Sequence, residues 1–244
     1  MEADMKRVSL FLSLFLGLLM AGPVLATDKN WSNDAELSFV DTGGNTEVTT
    51  LAAKNLLKYR FDERYSGQWL LQALYGESAG EKNAESYATE LRGDYAPYER
   101  LYYFATAGWL QDEFSGIDRR IIIGLGSGYK FIQGPKHFLI SEAGATYTMD
   151  DYVDNSDADY LGARLFGKYD YKFNETSSFM QSLELLPDFD ETSNWLLNSE
   201  TAIIAALSTQ FSMKTAYQVK YDHEPLSGLE KTDRILSVAL IAQF

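Results

Sequence analysis

Polar and charged side chains recur at every second position along this chain, and the positions between them hold tyrosine, tryptophan, leucine and alanine. Tyr65, Gly67, Trp69, Leu71, Ala73 and Tyr75 alternate with Ser66, Gln68 and Gln72. Leu161, Ala163, Leu165, Tyr169, Tyr171 and Phe173 alternate with Arg164, Lys168, Asp170 and Lys172. Phe211, Met213, Tyr217, Val219 and Tyr221 alternate with Ser212, Lys214, Gln218 and Lys220. A period of two belongs to a β-strand, whose successive side chains face opposite sides. Charge on the second face of so many strands needs water or a partner there. That is foreign to the core of a sandwich and suits a closed barrel, polar inside and apolar outside.

Composition carries the same message. The chain holds 16 Tyr, 14 Phe and 4 Trp, yet its mean hydropathy is −0.24. A membrane barrel reconciles the two, because its apolar residues are spread over alternate positions and never form a helical run. Twelve alternating segments are predicted, at roughly 30–41, 46–61, 65–76, 84–96, 101–112, 119–131, 137–149, 159–173, 177–188, 195–207, 210–222 and 232–244. The even count brings both termini to one side. Connections after the even-numbered segments are short (62–64, 97–100, 132–136, 174–176, 208–209). Those after segments 3, 5, 7, 9 and 11 are longer and acidic (77–83, 113–118, 150–158, 189–194, 223–231), and only 42–45 breaks the rule. The expectation is an all-β, twelve-stranded antiparallel transmembrane barrel with short periplasmic turns and long exterior loops.

The ends of the sequence extend this expectation. Lys6 and Arg7 precede an apolar stretch from Val8 to Met20, and Val24-Leu25-Ala26 supplies small residues before Thr27, so residues 1–26 read as a cleaved signal peptide and 27–244 as the barrel. Leu236, Val238, Leu240 and Phe244 form the apolar face of a last strand, a pattern that resembles the assembly signal of bacterial outer-membrane proteins. The expected location is the bacterial outer membrane. The expected partners are its lipid and lipopolysaccharide, the barrel-assembly machinery during biogenesis, and small ions or solutes. A net charge of −14 argues against nucleic acid. With no cysteine, disulfides and thiolate chemistry are excluded.

Several short pieces resemble one family. They are Trp31, Thr42-Gly43-Gly44-Asn45-Thr46, Asp112 to Arg120, Gly124-Leu125-Gly126-Ser127-Gly128-Tyr129, Tyr221-Asp222-His223-Glu224-Pro225 and Lys231-Thr232-Asp233. In this order they are similar to the salt-induced outer membrane protein group, domain-of-unknown-function family 481. The resemblance implies an outer-membrane barrel and transfers no catalytic residue. Physically, Gly43-Gly44-Asn45 suits a tight hairpin. Gly124, Gly126 and Gly128 clear one face of a strand, making room for bulky neighbours or allowing sharp curvature.

Candidate chemistry falls into three places. The lumen is predicted to be lined by Asp34, Glu36, Lys54, Lys58, Glu90, Arg92, Asp94, Arg164, Lys168, Asp170, Lys172, Lys214 and Lys220, with both signs present. These residues either tie together and plug the barrel or line a narrow water path. At the exterior rim stand Asp222, His223 and Glu224 with Asp112 and Asp118; His223 beside Asp222 is a candidate base for activating water. The other histidine, His137, falls in a turn at the opposite end. Asp150, Asp151 and Asp154 are a weak Ca²⁺ candidate that lacks EF-hand spacing. No cofactor is expected. The reading is a small passive channel or envelope-integrity protein without enzymatic activity; the alternatives are a rim hydrolase using the Asp–His pair and a plugged structural or adhesive barrel.

Overall fold

The structure, a computed structural model, describes residues 30–42 and 48–244. The predicted signal peptide and the Gly43-Gly44-Asn45 hairpin lie outside the described residues. Twelve strands follow one another: β1 (Trp31–Thr42), β2 (Val48–Arg60), β3 (Tyr65–Ser78), β4 (Glu81–Tyr95), β5 (Leu101–Asp112), β6 (Ile117–Gln133), β7 (His137–Tyr152), β8 (Asp157–Lys172), β9 (Ser177–Pro187), β10 (Trp195–Ala206), β11 (Phe211–Asp222) and β12 (Thr232–Gln243). Each pairs antiparallel with its sequence neighbours, and β1 pairs with β12, so the sheet closes with no free edge. Closure matters because a free edge would leave backbone groups with no partner in a bilayer. The seam runs from Asp34 opposite Gln243 to Ser38 opposite Ala239, and Phe244 exchanges two backbone hydrogen bonds with Asn33 (3.0 and 3.2 Å).

Alternation sorts the side chains as the sequence predicts. Leu125 is 67% exposed and Leu236 71% exposed, along with Leu37, Leu91, Leu161, Leu165, Leu183, Ile203, Val238 and Leu240 on the same outer face. A continuous apolar surface of this extent on a closed barrel is solvated by lipid. Aromatic rings gather toward both ends of it. Tyr65 stacks on Tyr95 at 4.9 Å and Tyr129 meets Phe131 at 5.0 Å near one end; Trp195 and Tyr221 meet at 4.9 Å near the other.

The connections differ from expectation. Strands run further than their alternation suggested, so β3 and β4 are joined by Ala79 and Gly80 alone, both at positive φ. The connection expected at 150–158 shrinks to 153–156. Only 188–194 and 223–231 are clearly longer than the opposite turns, so the loop–turn asymmetry is weaker than the sequence implied. Polar residues at the strand ends, such as Glu77, Glu81 and Asp151, continue the hydrogen-bond ladder beyond the apolar band. Hydropathy locates the band rather than the ladder's end.

Candidate functional site: the cross-braced lumen

The glycines of β6 shape one lumen wall. Gly124, Gly126 and Gly128 face inward opposite Thr106, Phe104 and Tyr102 of β5, while Gly126 also faces Gly144 of β7. A Cβ on Gly126 would lie 2.5 Å from the Ala143 carbonyl oxygen, 2.7 Å from Gly144 Cα and 2.7 Å from the Phe104 ring. On Gly128 it would lie 2.1 Å from the Tyr102 ring. The first role expected of these glycines is therefore filled: they make room for the Tyr102 and Phe104 rings and for the close approach of β6 to β7.

Charge is laid over those rings. Arg92 on β4 reaches across β5 and β6 to Glu142 on β7 (2.7 Å) and also holds Asp94 (2.7 Å), with its guanidinium 4.5 Å from the Phe104 centroid. Arg164 on β8 bonds the other Glu142 oxygen (2.6 Å) and Glu184 (2.6 Å), and lies 4.7 Å from the Phe166 ring. Tyr102 donates its hydroxyl to Glu142 at 2.7 Å. Glu142 is 3% exposed, so its charge is sustained by two arginines and a phenol. Glu90 faces inward one pair along the ladder from Arg92.

A second cluster stands on the opposite wall. Lys214 on β11 joins Glu200 on β10 (2.6 Å) and Glu36 on β1 (3.1 Å), and Lys54 faces Glu36 across the β1–β2 pair. Nearer the termini, Lys58 meets Asp34 at 3.5 Å and Lys168 meets Asp170 at 3.2 Å, while Lys172 is exposed beside them. All thirteen residues predicted for the lumen thus point inward. The alternation missed Glu142, Glu184 and Glu200, which sit among small or aliphatic neighbours; Tyr147, Leu183 and Ile203 mark the odd positions as outward, which puts these even-numbered carboxylates inside.

The loop end is narrowed from across the barrel. Lys220 on β11 approaches Asp112 on β5 at 3.6 Å, although those strands are almost diametrically opposed. Above them the 223–231 loop crosses the mouth: a Cβ on Gly116 (φ 78°), in the β5–β6 connection, would lie 2.7 Å from Leu226 Cδ1 and 3.0 Å from Leu229 Cδ1. Arg120 and Asp150 form a two-bonded ion pair (both 2.6 Å) in the wall beneath, with Tyr152 donating to Asp150 at 3.1 Å.

This geometry disperses the other candidates. His223 does not engage Asp222: its Nδ1 lies 2.7 Å from the Ser193 carbonyl oxygen and its ring stacks on Trp195 at 5.1 Å, outside the barrel. Asp222 instead accepts the backbone N–H of Glu224 (2.9 Å). His137 is likewise an outer-face residue, 4.8 Å from the Tyr171 ring. Both imidazoles behave as members of the aromatic belts. Asp118 is exposed in a β6 bulge. The Ca²⁺ candidate separates: Asp150 turns inward to Arg120, Asp151 pairs with Arg119, and Asp154 accepts from Ser156 Oγ (2.5 Å) and N–H (2.9 Å). The Ser156 hydroxyl and N–H hold the Asp154 carboxyl below the usual carboxylate range. Strand pairing sends Asp150 and Asp151 to opposite faces, so they cannot share an ion.

A closed twelve-stranded barrel with an apolar exterior and an ion-paired lumen defines the class as a transmembrane β-barrel. The chain belongs to the family described as protein of unknown function DUF481, whose model matches residues 35–244. It is 28% identical over 215 residues to the uncharacterized protein YdiY of Escherichia coli (strain K12), covering 87% of this chain and 82% of that one. Its fold is similar to an outer membrane channel from Pseudomonas putida F1, with TM-score 0.54 and 14% identity over 92% of this chain and 100% of the other. It is also similar to the NanC porin, with TM-score 0.53 and 7% identity over 87% and 98%.

Proposed function

We propose that this protein is an outer-membrane barrel that passes small ions or solutes through a narrow, cross-braced lumen, and that the 223–231 loop restricts entry from the exterior. One observation carries the reading: both signs of charge line the interior, and their ion pairs, the Lys220–Asp112 crossing at the mouth apart, lie along the walls. Ion pairs hugging the walls brace a barrel and leave a polar path between them. The fold shared with the two channel barrels supports the same direction. The final strand, with Leu236, Val238, Leu240 and Phe244, suits presentation to the assembly machinery, and the outer face suits outer-membrane lipid and lipopolysaccharide. No enzymatic role is part of this reading, since His223 lies outside the lumen and away from Asp222.

The crossing at the mouth, with Lys220 on Asp112 and two leucines on Gly116, also favours a second reading as a closed structural barrel. Single-channel conductance in a planar bilayer over a series of salt concentrations separates them. The channel reading expects small discrete steps that grow with salt, and steps of larger amplitude when residues 224–230 are replaced by a short Gly-Ser turn. Silence from both folded proteins would overturn the channel and leave the structural barrel.

A further inference from the structure

Two open apolar cavities stand outside the lumen. They lie side by side on the outer face of β2 to β5, toward the turn end, with volumes of about 530 and 420 Å³. Gly67 faces Gly93 and Gly93 faces Ala105 across the ladder, so the floor of this trough is almost bare backbone. Its walls are apolar. Trp69 and Leu91 close the side toward mid-membrane, and Phe61 leans over Gly67, whose Cβ would lie 3.2 Å from the ring. The Tyr65–Tyr95 stack, at 4.9 Å, forms the interfacial border.

Immediately beyond that border, the turn at 61–64 meets the 96–100 turn through the Ala96 N–H and the Arg64 carbonyl (2.8 Å). Arg64 and Glu63 are exposed there side by side. Asp62 is committed to the backbone, accepting from the N–H groups of Arg64 (2.7 Å) and Tyr65 (2.8 Å). Arg100 is directed at the Phe131 carbonyl (3.5 Å) and Glu99 supplies its own carbonyl to Lys130 (3.2 Å). A turn that offers an exposed cation and an exposed carboxylate at the border of an apolar trough matches a headgroup that carries both a phosphate and an ammonium.

We propose that the trough holds one phospholipid of the periplasmic leaflet, a phosphatidylethanolamine, with an acyl chain between Trp69 and the tyrosine stack, its phosphate at Arg64 and its ammonium at Glu63. The trough suits one flexible apolar chain; a partner strand or helix would have to clear Trp69 and Phe61. The assignment rests on the membrane location proposed above but not on conductance.

The geometry supplies a clean test. A Cβ on Gly93 meets nothing within 4 Å, so Gly93→Leu starts its side chain into the trough without a backbone clash. Wild type, Gly93→Leu and Arg64→Gln are inserted into bilayers of equal phosphatidylethanolamine and phosphatidylglycerol, extracted in mild detergent, and analysed by native mass spectrometry for retained lipid. The expected result is one retained phosphatidylethanolamine on wild type and about tenfold less on Gly93→Leu, as a leucine displaces a few methylenes. A smaller loss with less headgroup preference is expected for Arg64→Gln. Equal retention by wild type and Gly93→Leu, or preference for phosphatidylglycerol, overturns the assignment. A barrel that does not insert into this bilayer overturns the membrane location instead, and conductance unchanged by Gly93→Leu keeps the two readings apart.

Discussion

The two walls of the lumen solve one problem in different ways. Between β5 and β7 the backbone is cleared at Gly124, Gly126, Gly128 and Gly144, large rings lie in the recess, and Arg92 and Arg164 are laid over them toward a shared Glu142. From β10 round to β2 the inward positions are small but not bare, with Ala202, Ala216 and Ala239 buried, and the single amine of Lys214 bridges Glu200 and Glu36. A guanidinium can span three strands because it is long, planar and stacks on a ring. The Lys214 amine is a point charge and here gathers carboxylates from strands close to its own, although Lys220 at the mouth reaches across to Asp112. The reach of the cation therefore dictates how much of the wall must be cleared beneath it.

That contrast can be broken most severely at its foundation. Gly126→Val sets a side chain against the Ala143 carbonyl and the Phe104 ring, so neither the close approach of β6 to β7 nor the stack survives. We expect a loss of about 3 kcal/mol or no folded barrel at all, read as disappearance of the heat-modifiable folded band on a gel. Inward glycine-to-alanine changes elsewhere test the comparison; a Cβ on Gly108 meets its nearest atom at 3.7 Å, and Gly108→Ala should be almost silent.

Removing the anion comes next. Glu142→Leu leaves two arginines and the Tyr102 hydroxyl without their common acceptor, though Arg92 keeps Asp94 and Arg164 keeps Glu184. About 3 kcal/mol is expected, the low end for breaking a buried ion pair. Lys214→Met on the opposite wall should cost about 1–2 kcal/mol, because Glu36 and Glu200 are partly hydrated and can relax apart. Urea midpoints of refolded barrels rank the two. Equal costs would mean that the glycine-rich wall confers no special dependence on its network.

The smallest effect lies at the turns. The Arg64 N–H, and then that of Tyr65, hold the Asp62 carboxyl below the usual carboxylate range. A depressed carboxyl stabilises the fold above its ordinary titration range and loses that contribution as pH falls through the depressed value. Asp62→Asn should therefore remove a slight acid sensitivity of the turn, visible as amide exchange at Arg64 and Tyr65 in NMR spectra recorded down the acid range. No change in that exchange would show that the turn holds without the carboxylate.

Much of this was legible in the sequence, and the reasons are local. Alternation identified twelve strands, the polar side of each, and thirteen inward charges, because a period-two pattern needs no knowledge of partners. Pairing across the barrel was invisible. Nothing in the spacing says that Arg92 meets Glu142 over two intervening strands, or that Lys220 meets Asp112 from the far side. The misreadings share one origin. Asp150 looked like loop because a run of acids follows it, and His223 entered as a candidate base of the alternative reading because Asp222 precedes it. In a strand, neighbours in sequence point apart, so adjacency argued for contact where geometry forbids it.

Both histidines stand in the aromatic belts, one at each end and both outside the barrel. The lumen wall therefore lacks the one side chain whose ordinary titration falls between pH 5 and 8. Its charges are carboxylates, amines and guanidiniums, and dissolved ions screen the exposed pairs, such as Lys58 with Asp34, far more than the buried ones around Glu142. On the channel reading proposed above, salt would therefore loosen the turn end of the lumen before it touched the middle.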